Sequence, residues 1–288
     1  MATIREIRRR IRSVQNTAKI TKAMELVAAS KMRRAQQRAL AGRPYAERMN
    51  WVLADLSETV DLSDPEALHP LLRRRDVQAT GVVLITPNRG LCGGLPGNLN
   101  RRTSTLFLDV DVPGHLVAVG RKGRDFFRRA NVPIRAEFTE LGDYPDYMAI
   151  LPIARVVIDD YLAGAYDQVF VVYPYFVNTM TQEPRVQQLL PVEPAAQAAT
   201  RAVDYIYEPD REGVLAELLP RYVEMQLYAA VLEGIASEQS ARMVAMRSAT
   251  DAALEMIQEL TLTYNKARQE QITKELLDIV GGAEGLHG

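Results

Sequence analysis

From Arg221 to Val280 the chain runs for 60 residues with no proline and one glycine, Gly234. Within that stretch, alternating steps of three and four residues pick out Met243, Met246, Thr250, Ala253, Ile257, Leu260, Tyr264 and Ala267, all apolar or small. This is the seam of a coiled coil. A helix of that length, at ~1.5 Å per residue, spans roughly 90 Å, which is wider than any single domain of this chain. The helix therefore needs a partner along its length, and one end is expected to project.

The start of the chain offers the partner. Ile4, Ile7, Ile11, Val14 and Ala18 follow the same stepping, and residues from about 3 to 58 read as a long, mostly helical segment, apolar on one face and basic elsewhere. Pro44 is expected to bend or interrupt it, because proline removes a backbone donor and crowds the preceding turn. Although the net charge is −1, residues 1–43 hold 12 basic and 2 acidic side chains, whereas the chain from Arg211 onward holds 7 basic and 12 acidic ones. Opposite charge draws the two ends together, and their seams can bury each other as an antiparallel pair.

The middle has a different periodicity. GVVLIT (81–86), HLVAVG (115–120), VPIRAEF (132–138) and QVFVVYPYFVN (168–178) read as strands, and helical stretches alternate with them. The last strand is expected to pair with EPRVQQLLPVE in a hairpin. Strands alternating with helices give a parallel sheet covered on both faces. LSDPEALHP, ending at Pro70, is a linker, VDYIYEPD (203–210) closes the domain, its Pro-Asp pair opens the final helix, and GGAEGLHG stops that helix. The expected architecture is a long antiparallel coiled coil of the N- and C-terminal helices with an inserted open, Rossmann-like α/β domain. Its segments are 1–74 for the first helix and linker, 75–208 for the inserted domain, and 209–288 for the final helix.

Several functions find little support. MATIREIRRRIRS lacks an apolar core of signal-peptide length and reads as a helix that stays on the protein, and no run approaches the ~18 apolar residues of a membrane span. Cys92 has no partner in the chain for a disulfide, and a reducing compartment follows. His69, His115 and His287 lack metal-ligand spacing. The basic first helix has no aromatic residues interleaved with its charges, so it reads as the partner of the acidic helix and not as a nucleic-acid surface. RGLCGGLPG follows a strand, and Gly90, Gly93, Gly94 and Gly97 could let a phosphate approach a helix start. Its spacing is not G-x-G-x-x-G, no G-K-[ST] follows, and the second strand ends in Gly120 and Arg121 where a ribose-binding acid would stand. A tight turn is the simpler reading, and no cofactor is expected.

IRRRIRSVQNTAKITKAMELVAASKMRRAQ, ITPNRGLCGGLPGNLN and SEQSARMVAMRSATDAALEMIQELTLTYNKARQEQITKELLDIVGGA, taken together, closely resemble the gamma-subunit family of the F-type ATP synthases. The resemblance runs in order along essentially the whole chain. It implies a central rotor shaft, itself without catalytic residues, set in the ring of alternating alpha and beta subunits. At its foot such a shaft joins the epsilon subunit and the membrane c-ring. Rotation of the shaft couples proton or sodium translocation to affinity changes at the beta-subunit sites. The resemblance also implies a peripheral place on the cytoplasmic face of a bacterial membrane, with membrane association only through the complex.

By the same resemblance Arg268, Gln269 and Thr273, with Arg242, match residues that engage beta, and Met24 matches a position that bears on coupling. Tyr205, Tyr207 and Glu208 match the foot that faces the c-ring and epsilon. None of Arg242, Arg268, Gln269 and Thr273 falls on the heptad seam, so all four are expected to face outward. Two other readings stay open on the residues alone: a coiled-coil scaffold without a motor role, and a nucleotide-binding enzyme using the 90–97 glycine-rich loop.

Overall fold

A computed structural model describes residues 3–58, 69–193, 208 and 210–284. The chain divides into two compact units, one made of its two ends, up to Val27 and from Met243, and the other of Ala28–Arg242. Two long helices, α1 (Ile4–Glu58) and α5 (Arg211–Glu284), contribute to both.

In the unit made of the chain ends, α1 and α5 pair along the anticipated seam. Ile7 and Ala18 are buried, Ile4, Ile11 and Val14 half-buried, and the buried run continues through Thr21 and Glu25. On α5, Met246, Thr250 and Ala253 are buried while Ile257, Leu260, Tyr264 and Ala267 are half-buried. The cross-helix contacts fix an antiparallel register. Arg8 Nη2 donates to Tyr264 Oη at 2.7 Å, the hydroxyls of Thr21 and Thr250 meet at 2.7 Å, and Arg247 Nε lies 3.6 Å from Glu25 Oε1. Glu25 also takes Lys22 Nζ at 2.9 Å, so the carboxylate in the seam is paired. In this register Ile4, where α1 begins, falls opposite Ala267 and Arg268, and every residue from Arg268 to Ile279 is exposed.

The start of α1 is held by a reciprocal cap: the Glu6 amide donates to Thr3 Oγ1 at 3.3 Å and the Thr3 amide to Glu6 Oε2 at 2.8 Å. The T-x-x-E spacing of Thr3 and Glu6 is the sequence signature of that capping box. At the other helix, Asp210 Oδ1 accepts the Gly213 amide at 2.7 Å, so the Pro-Asp start signal is used. Both expected helix breakers, Pro44 and the glycines at 281 and 282, stand inside their helices. Pro44 lies inside α1 without interrupting it, and it is exposed. The final helix runs through Gly281 and Gly282 to Glu284, inside the GGAEGLHG stretch expected to stop it. The proposed end of the domain at 203–207 lies outside the described residues.

In the second unit, five strands, β1 (Thr80–Ile85), β2 (Gly114–Val119), β3 (Ile134–Phe138), β4 (Gln168–Phe176) and β5 (Gln182–Leu190), form one sheet in the order β3-β2-β1-β4-β5. The first four are parallel, and β5 returns antiparallel to β4 as the expected hairpin. All six residues of β1 are buried, as a central strand covered on both faces requires. The period of two sorts its side chains: Val83 and Ile85 enter one core with Val117, Val119 and Val171, whereas Val82 and Leu84 enter another with Leu116, Ala118 and Val172.

The second of these cores is closed by α2 (Leu95–Val110) and α3 (Arg121–Arg129) through Leu95, Leu99, Leu106 and Phe127. The first is closed by α4 (Leu151–Leu162) together with Met49, Leu53 and Leu56 of α1 and Leu215, Leu219, Val223 and Leu227 of α5. The sheet thus seats the inner segments of both long helices on one face. Gly234 lets α5 come close to the end of β1, since a Cβ there would stand 3.1 Å from Ile85 Cγ2 and 3.6 Å from Pro174 Cδ.

Candidate functional site

Arg268, Gln269 and Thr273 are exposed on α5, at and past the level where α1 begins. The same stretch exposes Ile272, Leu276, Leu277 and Ile279, so a single helix displays polar and apolar side chains together. Met24 is half-buried beside Glu25, with the neighbouring Leu26 and Val27 exposed. Glu208 is exposed, and Tyr205 and Tyr207 lie outside the described residues.

Arg242 departs from expectation, because it does not face outward. It is 9% exposed, its Nη2 sits 2.8 Å from Glu238 Oε1 one turn back, and it points to the carbonyls of Arg89 and Gly90 at 3.5 and 3.3 Å. The heptad count correctly puts Arg242 off the seam. Off the seam at this level, however, means against the sheet domain and not in solvent. A buried guanidinium is held by acceptors on several sides, and the carbonyls of the glycine-rich turn are among them.

The turn itself is built for structure. Leu91 and Gly93 take positive φ (64° and 62°), Gly94 caps α2, and the Cys92 side chain is buried with its thiol pushed up chiefly by desolvation. The adjoining start of α3 is already satisfied: Thr86 Oγ1 accepts the Gly123 amide and Asn88 Oδ1 the Arg121 amide, each at 2.9 Å. Gly120, just before α3, has φ 108°, and a Cβ there would fall 1.9 Å from the Thr86 carbonyl oxygen.

A pocket of ≈ 180 Å³ opens at the carboxyl ends of β1, β2 and β4, where the strand order changes direction and open α/β sheets take ligands. Its lining includes Thr86, Asn88, Asp143, Glu238 and Gln239 but none of Gly90, Gly93, Gly94 and Gly97. Val231, Gly234 and Ile235 of α5 form one wall, so the helix stands where a ligand would otherwise spread. The crevice thus meets the glycine-rich turn at its start, Pro87 to Arg89, and not at its four glycines.

Glu238 was not singled out by any sequence motif. It is largely buried, and desolvation raises its carboxyl against the opposing pull of Arg242. His69 accepts the Leu71 amide through Nδ1 and the His115 ring leans on Tyr166, both ordinary structural uses. Among the described residues no group of three ligating side chains could hold a metal, and no helix is long and apolar enough to cross a membrane.

Comparison with known proteins supplies the family. A family described as ATP synthase matches residues 3–286. The ATP synthase gamma chain of Dehalococcoides mccartyi is 58% identical over 99% of this chain and 100% of its own length. That of Chloroflexus aurantiacus is 50% identical over 99% of each. Among solved structures, a chain of the central stalk and c-ring of the Tetrahymena thermophila mitochondrial ATP synthase is 28% identical, covering 80% of this chain and 99% of that one with a TM-score of 0.61. A chain of the Euglena gracilis mitochondrial ATP synthase shares the fold with a TM-score of 0.68 at 20% identity, covering 99% of this chain and 94% of that one. With matches that run essentially end to end, the chain belongs to the ATP synthase gamma chain family.

Proposed function

We propose that this chain is the central rotor shaft of an ATP synthase, turning with a membrane c-ring and biasing the affinities of catalytic sites carried by a surrounding ring of alpha and beta subunits. The observation that carries this reading is the antiparallel α1–α5 seam, with α5 running on past it as an exposed helix, in a chain of this family. Two helices zipped along one seam resist twisting better than one. The exposed run beyond it offers a partner both charge and apolar surface. Rotation alters site affinity only if shaft and ring make different contacts at different angles, and an asymmetric helix end meets that condition.

In this reading the chain performs no chemistry itself. Arg268, Gln269 and Thr273 engage beta, Met24 bears on coupling, and Glu208 with Tyr205 and Tyr207 belongs to the foot facing epsilon and the c-ring. Arg242 supports the beta contact from inside, by fixing α5 on the glycine-rich turn. The chain is peripheral, on the cytoplasmic face, and reaches the membrane through its partners.

The test is direct observation of rotation. A cysteine placed at Leu108, which is 80% exposed, carries a bead, since Cys92 is buried. The labelled chain is assembled with its cognate alpha and beta subunits and supplied with ATP. Stepwise rotation in one direction supports the shaft. A folded chain that does not enter the ring removes this reading, and assembly without rotation leaves the scaffold.

A further inference from the structure

Residues 139–150 join β3 to α4 without helix or strand, yet they are held by both long helices. Toward α1, Asp143 Oδ2 accepts Lys31 Nζ at 2.6 Å, and the Tyr144 ring lies beneath the guanidinium groups of Arg34 and Arg38, 5.9 and 5.1 Å from its centroid. Toward α5, Tyr147 donates its hydroxyl to Glu224 Oε2 and sets its ring edge-on to Tyr228, centroids 6.0 Å apart at 86°. Between these anchors Pro145 is buried, and Ile150, fully buried, secures the far end in the sheet core.

The apolar core holds each helix by its buried stripe, which axial rotation would expose to water. Hydrogen bonds, ion pairs and cation–π contacts are directional and add to that resistance. Desolvation first, then Glu224, holds the Tyr147 phenol far above its ordinary range, so it remains a donor throughout working pH. The segment has one hand on each helix. A twist in either sense therefore loads one set of its contacts.

We infer that residues 143–147 form a strap that carries torque between the sheet domain and the two long helices, with Asp143, Tyr144 and Tyr147 as positioning residues of the rotor. The inference rests on the shaft reading. It goes beyond that reading by naming side chains, bound to the two long helices, that govern coupling.

The test uses the whole complex, reconstituted in vesicles with cognate alpha, beta, epsilon and c-ring subunits. ATP hydrolysis and ATP-driven charge transport are measured together with a potential-sensitive dye, and hydrogen exchange is followed at 143–150. For Asp143→Asn/Tyr144→Ala/Tyr147→Phe, exchange in the strap rises about tenfold or more. Hydrolysis stays within about twofold and charge moved per ATP falls about threefold or more. Tyr147→Phe alone, which keeps the ring, gives the same pattern in smaller measure.

Lys31→Asp and Asp143→Lys each lower the transport ratio, and the paired exchange of charges restores it. An unchanged ratio in the triple variant, with the strap shown to be released, overturns the inference; so does a charge exchange no better than its single components. If the unaltered chain drives no transport, the shaft reading itself fails, and that outcome shows in the control before any variant is considered.

Discussion

Glu238 is a carboxyl whose protonation and folding are coupled. Burial raises its folded pKa above the ordinary glutamate value of 4.5, while Arg242 and Lys31 oppose the shift and Asp143 adds to it. Between those two values the folded chain holds a proton that the unfolded chain lacks. The stabilisation from this group is therefore present at low pH and is lost as pH rises through the window. Glu238→Gln removes that dependence. Denaturant midpoints of the two proteins should diverge with pH, the wild type gaining on the variant as pH falls toward 4.5, and parallel profiles would show that Arg242 fully compensates.

Gly120 gives a sharper case, since its φ of 108° and the 1.9 Å approach to the Thr86 carbonyl leave a side chain no room. Gly120→Ala should cost about 3 kcal/mol or more, against a change within about 1 kcal/mol for Gly97→Ala, where a Cβ meets nothing within 4 Å. Both effects are read from urea unfolding. Neither Glu238 nor the burial of Arg242 was legible beforehand, because no local pattern reveals that α5 turns this face to the glycine-rich loop. The sequence reading of Arg242 had the helix phase right and its surroundings wrong.

At the level of elements, the period of the apolar residues proved sufficient wherever burial is one-sided or central. Each of the eight anticipated seam positions on α5 is at least partly buried, and the β1, β2 and β4 runs became strands within two residues of their predicted ends. Failure came where a local preference met a larger structure. Pro44 breaks an isolated helix, but α1 is held on either side, by Ala28, Met32 and Ala35 before the proline and by Met49, Leu53 and Leu56 after it, so packing overrides the local cost. If so, that cost is still present in the folded protein. Pro44→Ala should then raise stability by about 1–3 kcal/mol, seen as a higher melting temperature with unchanged helical content. A loss of stability would mean that the helix depends on a distortion at this point. The strap at 139–150 escaped the sequence reading for the opposite reason: it has no period at all, and its contacts are to residues about 75 to 110 positions away.

For the molecule as a whole, the sequence carried the seam, the sheet and the family, while the surfaces that meet partners were legible only by resemblance. The reason is physical. A partner-facing residue in the isolated chain looks like any solvated residue, and Arg268, Gln269 and Thr273 are indistinguishable by exposure from their neighbours on α5. What separates them is consequence. These side chains make no contact across the α1–α5 seam, so their removal leaves the isolated chain as stable as before, within about 0.5 kcal/mol. If they hold beta, Arg268→Ala/Gln269→Ala removes contacts made only in the assembled motor, and coupled ATP synthesis should fall about tenfold or more at equal enzyme content. Melting of the free chain and synthesis by the reconstituted complex, measured side by side, separate the two roles. Lost synthesis with an unshifted melting curve places the pair at the working interface, whereas unchanged synthesis at normal enzyme content takes coupling away from Arg268 and Gln269 and leaves it to Thr273, to the apolar run from Ile272 to Ile279, or to Met24.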